Sequence, residues 1–124
     1  MAASSVSTVV AGQLSTRKST MSVASGENEV VTIVSGATNL DQVVINNAAG
    51  TQTIYVRLWA LASGSVSHGS SVPIAILPCG AGETVEHSIA PAPVVETSLS
   101  AQVVQTTGFA AAGTAVTWAV TVTI

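Results

Sequence analysis

The amino-acid sequence predicts an all-β chain: one antiparallel β-sandwich of about seven strands, Ig-like or jelly-roll-like, behind an extended N-terminal arm. Three observations carry this. Apolar and polar residues alternate with period 2 in segment after segment, and clusters of Gly, Asn and Pro separate those segments. The chain is also dominated by Ala, Val, Ser and Thr, which supply over half of its 124 residues. The strongest segments are too rich in β-branched and aromatic residues to prefer helix.

Residues 1–28 mix Ser, Thr, Ala and Gly with scattered valines and keep no period, so they read as the arm, with room for a short strand or turn between Val6 and Leu14. The sandwich domain is expected over 29–124. Its strands are expected at Val30–Val34, Gln42–Asn46, Thr53–Ala60, Val72–Leu77, Thr84–Ile89, Leu99–Thr106 and Val116–Ile124. The last is the clearest: Val116, Trp118, Val120, Val122 and Ile124 share one parity and Thr117, Ala119, Thr121 and Thr123 the other. Side chains alternate across a strand, so an apolar stripe faces inward, with Trp118 as the largest core side chain, and threonines face outward. In Thr53–Ala60, Ile54, Val56, Leu58 and Ala60 oppose Thr53, Tyr55, Arg57 and Trp59. Asn46-Asn47-Ala48-Ala49-Gly50 offers residues that tolerate positive φ for a turn. Pro78 to Gly82 ends pairing after Leu77, Pro91 and Pro93 fit a connection or a sheet edge, and Gly108 to Gly113 makes a flexible loop.

Charged residues are 7 % of the chain against a typical share of about 25 %. With 48 % hydrophobic residues the chain lacks the signature of disorder. Ser, Thr or Gly interrupts every apolar run, which argues against a membrane span of about 20 residues. Three basic residues against six acidic ones argue against nucleic acid as a partner. The start lacks early basic residues and an unbroken apolar core, and its Arg17-Lys18 follows the weak apolar patch, the wrong order for a secretory signal. Hydroxyls carry most of the polarity, and a hydroxyl surface is buried against another protein at lower desolvation cost than a charged one. The chain is therefore expected to work in contact with other subunits rather than as a solitary neutral domain.

No catalytic set emerges, so an enzyme is not expected, and no cofactor or metal is called for. Cys79, His87, Glu83 and Glu86 lack the paired spacing of a zinc site, and Cys79, in a Gly-rich turn, is expected partly exposed with no base beside it. His68 sits in a small-residue loop without a nucleophile elbow. Gly80-Ala81-Gly82 runs into a strand, not the helix a dinucleotide fingerprint needs. Glu27/Glu29 and Glu83/Glu86 do not suggest an acid pair facing one cleft. The best contact candidates are Tyr55, Arg57 and Trp59, residue types enriched at interface hot spots, although the same stripe fits internal packing on the arm or second sheet equally well. The valines Val6, Val9 and Val10 and Leu14 of the arm complete the expected interface.

Asn46 to Leu58, with its Thr53-Ile54-Tyr55-Val56-Arg57 strand, leads through a small-residue loop to Val72-Pro73-Ile74-Ala75-Ile76-Leu77-Pro78-Cys79-Gly80 and then Gly82-Glu83-Thr84-Val85-Glu86. This third of the chain resembles small β-sandwich structural proteins and appended modules of tailed bacteriophage virions. Cys79 departs from the pattern, standing where such turns run Pro-Gly or Pro-Pro-Gly. The resemblance implies a non-enzymatic virion component assembled in the host cytoplasm. First comes a capsid decoration (cement) protein, a homo-oligomer binding major capsid subunits and stabilising the head. The alternatives are a tail, baseplate or fibre-associated module contacting other virion structural proteins, and a carbohydrate-binding or adhesin module stacking sugars on Trp59 and Tyr55.

Overall fold

A computed structural model describes residues 4–9, 17–89 and 94–124, with side chains from residue 19 onward except that of Val94. The strands are β1 (Ser4–Val9), β2 (Arg17–Val23), β3 (Val31–Ser35), β4 (Thr38–Asn39), β5 (Gln42–Asn46), β6 (Ile54–Trp59), β7 (Ala75–Cys79), β8 (Thr84–Ser88), β9 (Val94–Val95), β10 (Ser98–Val104) and β11 (Val120–Thr123). Every pairing is antiparallel. One sheet runs β1-β2-β11-β5-β8, the other β3-β10-β6-β7, and β4 pairs with β9 alone.

Without β1 and the β4–β9 pair, eight strands remain, four in each sheet. Taken in chain order from β2, one sheet reads first-eighth-third-sixth and the other second-seventh-fourth-fifth. That is the strand order of a jelly roll, two sheets joined by repeated crossings of the sandwich. The fold is thus an all-β sandwich, and of the two expected topologies it takes the jelly-roll one.

The expected boundary at residue 28 does not coincide with the edge of this sandwich. β2, inside the segment read as an arm, lies between β1 and β11, and it buries Met21 and Val23 in the core. Its sequence Arg17-Lys18-Ser19-Thr20-Met21-Ser22-Val23 carries only two apolar residues, too few to show a period, yet they share the inward parity. It is the first strand of the roll, so the roll has one strand more than the seven expected.

The core lies between the sheets and is aliphatic, built from Ile33, Val43, Ile45, Ile54, Val56, Leu58, Leu99, Val103, Val120 and Val122 among others. Leu40, next after β4, and Val95 of β9 join the same core. The parity expected near the C-terminus holds, with Val116, Val120 and Val122 buried, but Trp118 is only half-buried. The largest fully buried side chains are instead Trp59 and Arg57.

Two turns depart from expectation. β7 begins three residues later than Val72, because Pro73 has no N–H for the ladder, and it continues through Pro78, which an edge strand tolerates. Gly50 does not use positive φ. It is needed for room, since a Cβ there would collide with the side chain of Asn47. Asn47 is fully buried. Its Nδ2 donates to Gln52 O at 3.1 Å and Gly80 O at 2.9 Å, while its Oδ1 accepts from Trp118 Nε1 at 2.6 Å. One amide thereby joins the β5–β6 turn, the β7–β8 turn and the approach to β11.

Candidate functional site

The outer face of the β3-β10-β6-β7 sheet is built first by strand register. Pairing sets Ser100 opposite Trp59, Gln102 opposite Arg57 and Val104 opposite Tyr55. These residues point away from the core, since Leu99, Ala101 and Val103 on β10 and Ile54, Val56 and Leu58 on β6 point into it. On an open sheet they would be solvated. Here Arg57, Trp59, Ser100, Gln102 and Val104 are all buried, because the β6–β7 and β10–β11 connections fold back over them.

Polar contacts hold both connections down. Arg57 Nη1 donates to Gln102 Oε1 at 3.0 Å and to Ala111 O at 2.8 Å, and Gln102 Nε2 donates to Ala112 O at 2.7 Å and Asn28 O at 2.6 Å. Trp59 Nε1 donates to Ser71 O at 3.0 Å, and the His68 ring stands edge-on to the indole with centroids 6.1 Å apart. Gly69 N donates to Phe109 O, so the two connections are tied to each other. Burial pulls the Arg57 pKa below the ordinary arginine value, though a guanidinium remains a cation at neutral pH.

The contact stripe expected at Tyr55, Arg57 and Trp59 is therefore corrected. Arg57 and Trp59 pack internally under the connections, and Tyr55 is half-buried. Sequence parity named the non-core face rightly but could not show that loops distant in the chain would cover it. Val6 and Val9 lie on β1, opposite Thr20 and Arg17; their side chains, and Val10 and Leu14 altogether, lie outside the described residues. Pro91 and Pro93 also lie outside them.

Cys79 was expected partly exposed and is buried at the end of β7, its Sγ 3.4 Å from Glu83 O. Desolvation pushes its thiol pKa up; a backbone hydrogen bond from Asn47 opposes this, the Glu83 charge adds to it, and a backbone bond from Val85 opposes it. A buried thiol of this kind is a poor nucleophile. His87 lies apart from it in role, its Nε2 bonding Pro78 O at 2.8 Å and linking the edge strands of the two sheets. His68 is half-buried against Trp59. Among the described residues no group of three or more His, Cys, Asp or Glu could hold a metal ion.

Exposed large hydrophobic residues mark a different surface. Among the described residues they are Leu61, Val72 and Ile74, with Val72 70 % exposed. All three lie on the β6–β7 connection, whose ends are fixed where Ile74 N donates to Leu58 O and where Trp59 holds Ser71. No Asp, Glu, Lys or Arg occurs from Leu58 to Gly82 or from Thr97 to Ile124, which includes both connections. Both connections thus lack charged side chains, and the β6–β7 one carries exposed apolar side chains. The sequence places Val72 and Ile74 in an expected strand, Val72–Leu77. Pro73 between them was the signal that the strand starts later and that both belong to the loop.

No family model matches the chain, and neither the curated proteins nor the solved structures contain a significant match.

Proposed function

We propose that the protein is a non-enzymatic structural subunit of a larger protein assembly, and specifically a virion decoration (cement) protein that adds contact area across neighbouring capsid subunits. The observation that supports it is the uncharged β6–β7 connection, where Leu61, Val72 and Ile74 stand exposed on a segment that polar contacts hold in place. Charged residues are depleted at interface cores, and an apolar group on a fixed support loses little conformational entropy on docking. The eight-stranded roll is compatible with this, since jelly rolls recur in capsid and lectin domains, but a fold alone assigns no role. Burial of Trp59 removes the larger of the two aromatics on which a sugar-binding reading relied.

The test uses Val72→Asp and Ile74→Asp, singly and together, in the full chain. Exposed positions tolerate these changes, so circular dichroism and thermal unfolding should stay close to the parent. Occupancy on purified virions should fall by at least ~100-fold for the double variant, as expected when charge enters an interface core. Localisation in a particle density map separates head reinforcement, with many lattice copies, from a tail or baseplate position with few. A chain absent from particles, or one whose double variant binds them unchanged, refutes the reading.

A further inference from the structure

The covered face of the β3-β10-β6-β7 sheet holds a cation bound by neutral oxygens alone. Arg57 is 1 % exposed. Its Nη1 donates to Gln102 Oε1 at 3.0 Å, Ala111 O at 2.8 Å and Ala112 O at 3.3 Å, and its Nη2 to Thr106 O at 3.5 Å. Its Nε is buried and finds no acceptor among the described residues. A guanidinium presents a planar fork of donors that matches a carboxylate in bidentate fashion, and such charge-assisted pairs are stronger than bonds to neutral carbonyls. The site therefore has an unmet donor, and a carboxylate would match it better than the neutral carbonyls it holds.

What covers the guanidinium is thin. Ala110, Ala111 and Ala112 are exposed on their outer side, and the segment lies between two glycines in the left-handed region, Gly108 at φ 79° and Gly113 at φ 84°. Glycine crosses φ/ψ space at little steric cost, so these are the positions about which the segment can pivot. Its attachments are hydrogen bonds: Ala111 and Ala112 O accept from Arg57, Ala112 O from Gln102, Gly113 O from Asn28 Nδ2, and Phe109 O from Gly69 N. Polar attachments can be exchanged for a competing ligand at lower net cost than buried apolar contacts.

We infer that Arg57 and Gln102 form a carboxylate-binding site gated by the 108–113 strap. Once Ala111 O and Ala112 O have left, the incoming carboxylate bridges the free Nε–H and a terminal N–H of the guanidinium, and Gln102 Nε2, released from Ala112 O, donates to it as well. The strap swings outward about Gly108 and Gly113. A free carboxylic acid and an acidic side chain of a docked protein share this chemistry. The inference differs from an exposed contact stripe because the site exists only when the strap has moved, and it does not depend on the virion reading.

The test is an NMR titration of the full chain with sodium acetate, against sodium chloride at equal ionic strength, with amide exchange measured along the strap. Acetate should shift the Arg57 Nε–H and Gln102 side-chain amide signals saturably, and speed exchange at Phe109–Ala112 by about tenfold, as for a local opening. Chloride should do neither. A short peptide with one glutamate, set against its glutamine counterpart, separates the sources. A response to acetate alone supports a small-acid site, and a stronger one to the glutamate peptide supports a docked side chain. Arg57→Lys keeps the charge but loses the fork, so the response should drop several-fold. Equal shifts in acetate and chloride, unchanged strap exchange with either carboxylate, or shifts confined to other cations would overturn the inference.

Discussion

The two sheets of this jelly roll present outer faces of opposite kind. On the β1-β2-β11-β5-β8 sheet, cross-strand rows such as Ser22–Thr121–Asn46–Thr84 stay open to solvent or half-buried, and their polar groups bond one another, as Thr20 and Thr123 do at 3.2 Å. On the β3-β10-β6-β7 sheet, the outward row Trp59, Arg57 and Tyr55 with Ser100, Gln102 and Val104 is roofed by two connections. A hydroxyl face can be left wet because water satisfies it. A roofed face needs internal partners for its buried polar groups. Arg57 and Gln102 bond each other and, with Trp59, the connections, with only the Arg57 Nε–H of the three left without a partner among the described residues. The difference shows where this small chain obtains packing beyond its aliphatic core: from its loops.

If the roofed face depends on those internal partners, breaking one should cost far more than any change on the open face. Gln102→Leu removes the acceptor for Arg57 and the donor to Asn28 O and Ala112 O, leaving buried groups unpaired. The expected loss is ~2–4 kcal/mol, read from urea unfolding of parent and variant. Next comes Gly113→Ala. Its φ of 84° disfavours a side chain, and a Cβ would lie 2.9 Å from Val104 Cγ1 and 3.1 Å from an Arg57 nitrogen. A loss of about 1–3 kcal/mol is expected, with faster amide exchange along the strap.

How much of this was legible in the sequence follows the same division. Where one strand face is wet, alternation shows in the letters: Gln42–Asn46 matches β5 in full, and Val116, Val120 and Val122 fall inward as their parity requires. β10 reads Ser-Leu-Ser-Ala-Gln-Val-Val and is buried on both faces, so its letters alone could not tell core from roof. The site was obscured for the same reason. Arg57 and Trp59 carry the residue chemistry of an exposed anchor, and only contacts to Ala111 and Ser71, far along the chain, turn them inward. β2 was missed because two apolar residues in seven make no period, although Met21 and Val23 both reach the core.

Cys79 belongs to neither outer face and tests the core between them through pH. Its folded pKa is raised, chiefly by desolvation. The unfolded chain then releases the thiol proton first, and the unfolded state binds fewer protons once pH passes its ordinary cysteine pKa of about 8.5. This contribution to stability is present below that pH and is lost as pH rises toward the folded pKa. The urea midpoint should decline more steeply above pH 8.5 in the parent than in Cys79→Ala, whose core cavity lowers stability at every pH but adds no slope.

The smallest effect is expected on the open face, and it decides whether the comparison holds. Thr121 sits mid-row between Ser22 and Asn46, with its neighbour Val122 buried beneath. Thr121→Val keeps the β-branched shape and strand propensity and exchanges a hydroxyl that water can replace. Stability should change by no more than ~0.5 kcal/mol, the range of surface substitutions that touch no special feature. A loss as large as that of Gln102→Leu would mean that the bonds along the hydroxyl rows contribute as much as the roof's and that the two faces are held by the same means. A change near zero, beside a large one at Gln102, would place the polar contribution to stability under the loops. It would also leave the threonine face free to vary without cost to the fold.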